Sequence, residues 1–385
     1  MTARARIAAA LVCATLFALI NFGNALHKGG DFDVFVDAGQ RVLDGRPLYA
    51  DSTPANGVIG PPFQGLFFVP SGWIARLNPA VAKVTWYVAN LVALAVGIWL
   101  WSVALGAGAR ASGTWLTGPV LWATVAIVLP TQTNFEHQNM NALLLCLMGA
   151  GAYALHRSMP LQAGVWFGIA AALKAFPAFV LVYLLVRSAW RSVLAGVTTA
   201  AVLTSIAAIR YGGSMFQLIA DWLAVHRAGD WPTRLQNQSI YAAIHRVWPE
   251  SAAAVALVTG VTAVLVLSVA WRRRDHANVT ADEIALATAA SVLLSPIAWD
   301  HYWVLMFPAL LVLASTASRG AWIIVGVAAL LMTGTSPLFV GTHGFNVARQ
   351  YSSSTIAGLL LVGALVARLL LDHEGDGRRT LNRAG

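Results

Sequence analysis

An all-α polytopic membrane fold follows from three features of the sequence. Of its 385 residues 58% are hydrophobic and only 11% charged, the mean hydropathy is +0.67, and the apolar residues come in blocks long enough to cross a bilayer. No soluble domain of this length hides so much apolar side chain. The net charge of +9 and pI near 10.1 would direct a soluble chain toward nucleic acid. In a membrane chain they read as arginines at cytoplasmic helix ends, and no nucleic-acid partner is expected. Cys13 and Cys146 both lie in apolar blocks, which argues against a disulfide framework or a metal site.

The chain opens MTARARIAAALVCATLFALINF. Its run from Ile7 to Phe22 lacks a small-x-small cleavage site, so it is expected to stay as a first span, with Arg4 and Arg6 in the cytoplasm. Blocks of spanning length cover about 7–26, 79–106, 114–132, 138–155, 190–209, 251–271, 283–298, 302–318, 320–339 and 353–371. Residues 61–77, PPFQGLFFVPSGWIARL, are short and carry Pro61, Pro62 and Pro70, which predicts an interfacial or re-entrant helix. Residues 161–190 carry Lys174 and Pro177 in mid-run, which predicts a break between two short helices.

Together these give about twelve membrane helices with both termini in the cytoplasm. Arg110, Arg157, Arg187, Arg191, Arg272 to Arg274, Arg319 and Arg368 then fall at cytoplasmic ends. Treating 61–77 as a span and 161–187 as one helix would export Arg110 and Arg157 in short loops. The expected organisation is one transmembrane domain over 1–372, with long outer loops at 27–78 and 211–250 and a basic cytoplasmic tail at 373–385.

With this topology Asp31, Asp33, His137, Gln138, Asn139, Asn141, Lys174, Asn237, Gln238, Asp300 and His301 all reach the non-cytoplasmic side. A charge near the hydrocarbon core costs roughly 2 to 4 kcal/mol on insertion scales unless it is paired or lines a wet cavity, so this convergence predicts a site. Residues 29–49 form an amphipathic helix lying on the membrane, with Phe32, Val34, Phe35, Ala38, Val42 and Leu43 apolar and Asp33, Asp37 and Asp44 on its solvated face. Asp31 follows Gly29 and Gly30 directly after the first span, where a carboxylate is placed to take a proton from a hydroxyl.

In TNFEHQNMNALLL, residues 133–145, one cap explains Thr133 or Asn134 but not the further His137, Gln138, Asn139 and Asn141. Lys174 at a helix break is either a snorkelling side chain or a phosphate contact. NQSIYAAIHR, residues 237–246, is either an N-x-S glycosylation pattern from Asn237 through Ser239 or a loop capping the next helix, and Asn237 and Gln238 count among the candidate substrate contacts. Trp222, Trp231 and Trp248 line a glycan groove or sit in the interfacial belt. In LLSPIAWDHYWVLMF, residues 293–307, Pro296 ends a helix and Trp299 anchors the interface. Asp300 caps the next helix and counts among the candidate substrate contacts, while a turn leaves His301 unexplained.

These motifs, GGDFDVFVDAGQRVLDGRPLY, PPFQGLFFVP, QNMN, GIAAALKAFPAFVLVYLL, NQSIYAAIHR and LLSPIAWDHYWVLMFPALL, occur in this order over roughly residues 5–315. Together they resemble the GT-C glycosyltransferases of family 87, polyprenol-phosphate-mannose-dependent alpha-mannosyltransferases. The resemblance implies inverting transfer of a sugar from a beta-linked polyprenyl-phosphate donor to a glycolipid or lipoglycan acceptor on the outer membrane face, forming an alpha-glycoside. Mannose is the implied sugar, with arabinose and glucose left open. The family's D-x-x-V-[YF] aspartate corresponds to Asp31, and its S-P-x-x-W-x-H element to Ser295, Pro296, Trp299 and His301. Asp33 stands where a neutral residue or histidine is expected, which leaves Asp33 as the fallback base.

One-step inversion needs a carboxylate for the acceptor proton and positive or hydrogen-bonding groups for the leaving phosphate. Asp31 and His301 are the catalytic candidates, Lys174 and His137 the donor-phosphate contacts, and Gln138, Asn139, Asn141, Asn237, Gln238 and Asp300 the substrate contacts. The sequence has no His/Cys cluster, so no obligatory metal or other cofactor is expected. The competing classes are a secondary transporter and a flippase for lipid-linked sugars.

Overall fold

A computed structural model describes residues 3–28, 30–50, 59–106, 117–316 and 318–381. Gly29, Arg110 and the last residues of the basic tail lie outside them. The described chain is helical, running α1 (Ala3–His27), α2 (Gly30–Asp44), α3 (Pro62–Phe67), α4 (Val69–Leu77), α5 (Pro79–Ala104), α6 (Gly118–Ala126), α7 (Val128–Glu136), α8 (Asn141–His156), α9 (Pro160–Leu173) and α10 (Ala178–Val186). It continues through α11 (Trp190–Tyr211), α12 (Met215–Arg227), α13 (Ile240–Val247), α14 (Ala252–Arg272), α15 (Ala281–Leu294), a 3-10 segment Asp300–Met306, α16 (Phe307–Ala314), α17 (Arg319–Ala329), a π turn Leu330–Gly334, α18 (Pro337–Gln350) and α19 (Ser353–Leu381).

Among the described residues four helices are long and apolar enough to cross a membrane: α5, α11, α14 and Ser353–Leu371 of α19. A fifth candidate pairs Arg319–Gly334 with α18 across a bend of 86°. Their apolar residues face outward, as at Leu257, Val264, Ile323 and Leu330, while α15 and α16 are buried along almost their whole length. Such an inverted distribution, greasy outside around a closely packed centre, is that of an all-α membrane protein.

Several blocks are more broken than their hydropathy predicts. Residues 114–132 contain the junction between α6 and α7, α15 stops at Leu294 before Pro296, and the block 320–339 ends at Gly334 before the chain turns away into α18. The break at Lys174–Pro177 occurs as expected, and residues 61–77, expected as one interfacial or re-entrant helix, form the two short helices α3 and α4. The stretch 211–250 contains α12 and α13, the latter capped by Ser239, whose Oγ accepts from the Ala242 amide. The amphipathic face of α2 packs on protein instead of on lipid: Phe35 stacks on Phe68 at 4.6 Å and Phe32 on Trp86 at 6.2 Å. Helices α9 and α11 touch through small residues, and a Cβ on Gly168 would lie 2.4 Å from the Gly196 carbonyl.

At one end of α15 the basic residues gather. Arg187 Nε donates to Glu283 Oε1 at 2.9 Å, with both side chains almost fully buried. The remaining guanidinium nitrogens donate to the carbonyls of Arg274, His276 and Asn278. Glu283 also completes a capping box with Thr280, and Arg368 pairs with Asp282. The other end of α15, about 20 Å away at 1.5 Å per residue, leads into the polar cluster described below. Removing one partner of such a buried pair strands the other charge, so Arg187→Met is expected to cost about 3 to 5 kcal/mol. A lowered thermal midpoint in detergent would register the loss, whereas an unshifted midpoint would make the pair dispensable.

Candidate active site

Two cavities meet at one carboxylate. The larger, about 550 Å³, is lined by Asp31, Gln64, Asn139 and Lys174 on its polar side, and by Phe35, Phe176, Phe179, Val182, Trp222, Trp231, Leu294 and Ile297 elsewhere. The smaller, about 460 Å³, is lined mainly by polar groups: Lys28, Asp31, Gln132, Glu136, His137, Arg234, Gln236, Asp300, His301 and Arg349. Asp31, Arg234 and Trp299 line both.

Asp31 is held where α1 turns into α2. Gly30 makes that elbow at φ +55°, and a Cβ there would come within 3.0 Å of the His137 backbone. The Asp31 amide donates to the His137 carbonyl at 3.1 Å, so the elbow is tied to the reversal between α7 and α8. That reversal turns through Gln138 at φ 48° and closes with the Asn139 amide on the Asn134 carbonyl, 2.9 Å, and the Asn141 amide on Asn134 Oδ1, 3.2 Å. Gln138 Nε2 donates to the Ala25 carbonyl at 2.7 Å, and Trp86 Nε1 donates to the Gln138 carbonyl at the same distance. The amide side chains of QNMN therefore build the turn, and Asn139 also faces the site.

Asn139 joins the two opposite charges. Its Nδ2 donates to Asp31 Oδ2 at 2.6 Å, and its Oδ1 accepts from Lys174 Nζ at 3.0 Å. Asn141 backs this clamp, with Nδ2 donating to Asn139 Oδ1 at 2.9 Å and Oδ1 accepting from Lys174 at 3.1 Å. Lys174 is the extended residue after α9, and its ammonium lies 3.7 Å from the centre of the Tyr302 ring. On the other side of Asp31, His301 Nε2 lies 3.5 Å from Oδ2, longer than a hydrogen bond, and has no hydrogen-bond partner.

The sequence candidates divide accordingly. Asp31, Asn139 and Lys174 come together on the larger cavity, and His137, Asp300 and His301 on the smaller. His137 is therefore separated from Lys174 by the carboxylate. Asp300 does not cap the helix: it is the first residue of the 3-10 segment, whose N-cap position is Trp299 with no side-chain cap, and Asp300 instead pairs with Arg349. Asp33 points away, 57% exposed and 3.5 Å from Lys83.

Gln138, Asn141, Asn237 and Gln238 line neither cavity. Asn237 bonds the carbonyls of Trp231 and Pro296 and the amide of Ala298, and Gln238 bonds those of Leu235 and Arg349, which stitches the loop before α13 to the loop after α15.

Gln64, Arg234, Tyr302, Glu136 and Arg349 are site residues that sequence reasoning missed. Gln64 is the lone amide in PPFQGLFF; its Nε2 donates to the Leu173 carbonyl at 3.3 Å. Trp222 and Trp231 prove to be cavity walls, while Trp248 is 59% exposed. His226, between them with its Nδ1 3.0 Å from the Trp222 carbonyl, is held below the usual imidazole range by burial. It therefore extends the aromatic wall without adding charge at neutral pH.

The arrangement offers a solvent-reachable carboxylate between an apolar cavity containing a fixed ammonium and a polar cavity. Among the described residues no three His, Cys, Asp or Glu side chains converge as metal ligands. The family model described as Glycosyltransferase family 87 matches residues 59–296. A polyprenol-phosphate-mannose-dependent alpha-(1-2)-phosphatidylinositol mannoside mannosyltransferase of Mycolicibacterium smegmatis is 31% identical over 314 residues, which is 75% of this chain and 70% of the relative. A protein of the same name from Mycobacterium tuberculosis is 25% identical over 300 residues, 74% of this chain and 69% of the relative. A pentamannoside mannosyltransferase of Mycolicibacterium smegmatis is 26% identical over 342 residues, 83% and 79% of the two chains. With a family match over more than half its length and a relative 31% identical over three quarters of it, the chain belongs to glycosyltransferase family 87.

Proposed function

We propose that this glycosyltransferase moves mannose from a polyprenyl-phosphate donor to a phosphatidylinositol mannoside or similar glycolipid, with inversion, to give an alpha-1,2 linkage. The reaction takes place on the outer face of the plasma membrane in a chain of about twelve spans. The observation that carries this reading is the junction of the two cavities at Asp31. The names of the relatives supply the donor and acceptor classes.

The larger cavity suits the donor, with prenyl chain along Phe176, Phe179 and Val182 and phosphate toward Lys174. The smaller, polar cavity suits the sugar end of the acceptor. An acceptor hydroxyl there gives its proton to Asp31 while its oxygen attacks the anomeric carbon from the face opposite the phosphate. The bond from that carbon to the phosphate oxygen breaks, and the phosphate keeps the electron pair. Lys174, fixed by Asn139 and Asn141, offsets the charge that develops on the phosphate.

A prenyl monophosphate leaves as a single phosphate, so fixed cations serve it without a metal. His301 contacts the acceptor or the leaving group from the smaller cavity. Asp300, paired with Arg349, forms part of the acceptor wall; Asn141 positions Lys174 on the donor side, and Gln138, Asn237 and Gln238 act as positioning residues in the loops around the site. A carrier would hold its polar groups midway between repeated halves; here they gather at one end of the helices.

Purified protein given polyprenyl-phosphate mannose and a phosphatidylinositol mannoside is expected to yield an alpha-linked product, measured by linkage analysis. Flipping or uptake of the donor with no glycoside formed would defeat this reading. Lys174→Met is expected to lower kcat/KM by about a hundredfold or more, the loss typical of removing one electrostatic donor to a transition state. His301→Ala is expected to lose most of the turnover at unchanged expression, and wild-type rates would return it to a turn residue.

A further inference from the structure

Helix α18 departs from the span before it by 86° and has no buried residue. Leu338 is 85% and Phe339 68% exposed, and Val340 and Val347 are exposed as well. Such an apolar strip has no protein against it. The segment before the bend at Gly334–Pro337 is apolar and exposed as well, at Ile323 and Leu330.

The opposite side of α18 belongs to the site. Pro337, Phe345 and Arg349 line the smaller cavity, the Arg349 guanidinium lies 3.8 Å from the Phe345 ring centre and pairs with Asp300, and the Arg349 carbonyl accepts from Gln238 Nε2 at 3.0 Å. A helix turned at nearly a right angle to a span, apolar outward and polar toward a cavity at the span's end, has the form of a helix lying in the membrane interface. Gly341, at φ 69°, breaks the helix after its first turn, so that Leu338, Phe339 and Val340 stand on a different helical piece from the cavity-lining Phe345 and Arg349. All of α18 lies beyond the residues that the family match covers.

We propose that α18 rests in the outer interface with Leu338, Phe339 and Val340 among the acyl chains, and that it is the lip over which a lipid-anchored acceptor lowers its sugar end into the smaller cavity. The lip role rests on the assignment of that cavity to the acceptor; the membrane contact does not.

Two measurements test it. In a chain with Cys13 and Cys146 changed to alanine, a fluorophore on Phe339→Cys in phosphatidylcholine and phosphatidylglycerol vesicles is expected to be quenched by nitroxide lipids and not by aqueous iodide. Iodide quenching, or shielding from both quenchers by a cross-linkable second copy of the chain, overturns the membrane contact. Leu338→Ser with Phe339→Ser is expected to raise KM for the phosphatidylinositol-linked acceptor by about tenfold or more while leaving kcat and the turnover of a short water-soluble mannoside unchanged, the signature of lost binding without lost chemistry. Equal losses with both acceptors, or no loss with either, overturn the lip. A wild-type chain that glycosylates neither acceptor defeats the functional reading and the lip with it, and the quenching still decides where α18 lies.

Discussion

One buried amide holds the site together. Asn139 donates to Asp31 and accepts from Lys174, so a single side chain fixes a carboxylate and an ammonium on either side of itself. Each charge alone would be expensive in this apolar setting, and pairing them directly would consume both. With the amide between them, the carboxylate stays reachable from two cavities and the ammonium stays fixed on one. The surrounding architecture serves this clamp. The Gly30 elbow, the Gln138 reversal and the break after α9 each deliver one of its three members.

The broken helices are part of the same solution. A continuous helix satisfies its own backbone groups, and a membrane chain departs from that only where protein or a wet cavity can supply partners. Here the ends of α7, α9 and α15 all open toward the cavities: Asn134 closes the reversal after α7, Asn139 and Asn141 accept from Lys174 after α9, and Asn237 ties the loop after α15 to the loop before α13. The buried Arg187 and Glu283 pair does the corresponding work at the far end of α15. A polar pole for chemistry and a polar pole for structure are thus separated by a densely packed apolar middle.

The class of fold, the break at Lys174 and the convergence of Asp31, Asn139, Lys174 and His301 were legible in the sequence because each is a polar or proline exception in an apolar run. What was not legible depended on direction. Hydropathy does not distinguish a straight span from one that bends, so the 86° turn before α18 and the junction of α6 and α7 were hidden within apolar blocks. Nor does it say whether an amide faces a cavity or a carbonyl: Asn139 and Asn141 are two residues apart, yet only Asn139 reaches a cavity. The same holds for Asp31 and Asp33, which α2 points in different directions. Arg234 and Arg349 stand in no motif, and the fold alone sets them around the cavities.

The central claim is that Asp31, and no other carboxylate, takes the acceptor proton. Its most direct test compares transfer and donor binding in Asp31→Asn and Asp33→Asn. Asp31→Asn is expected to bind polyprenyl-phosphate mannose as the wild type does and to lose about 10²- to 10⁴-fold in turnover, the usual contribution of a general base, while Asp33→Asn keeps near-normal turnover. An active Asp31→Asn beside an inactive Asp33→Asn would contradict the account.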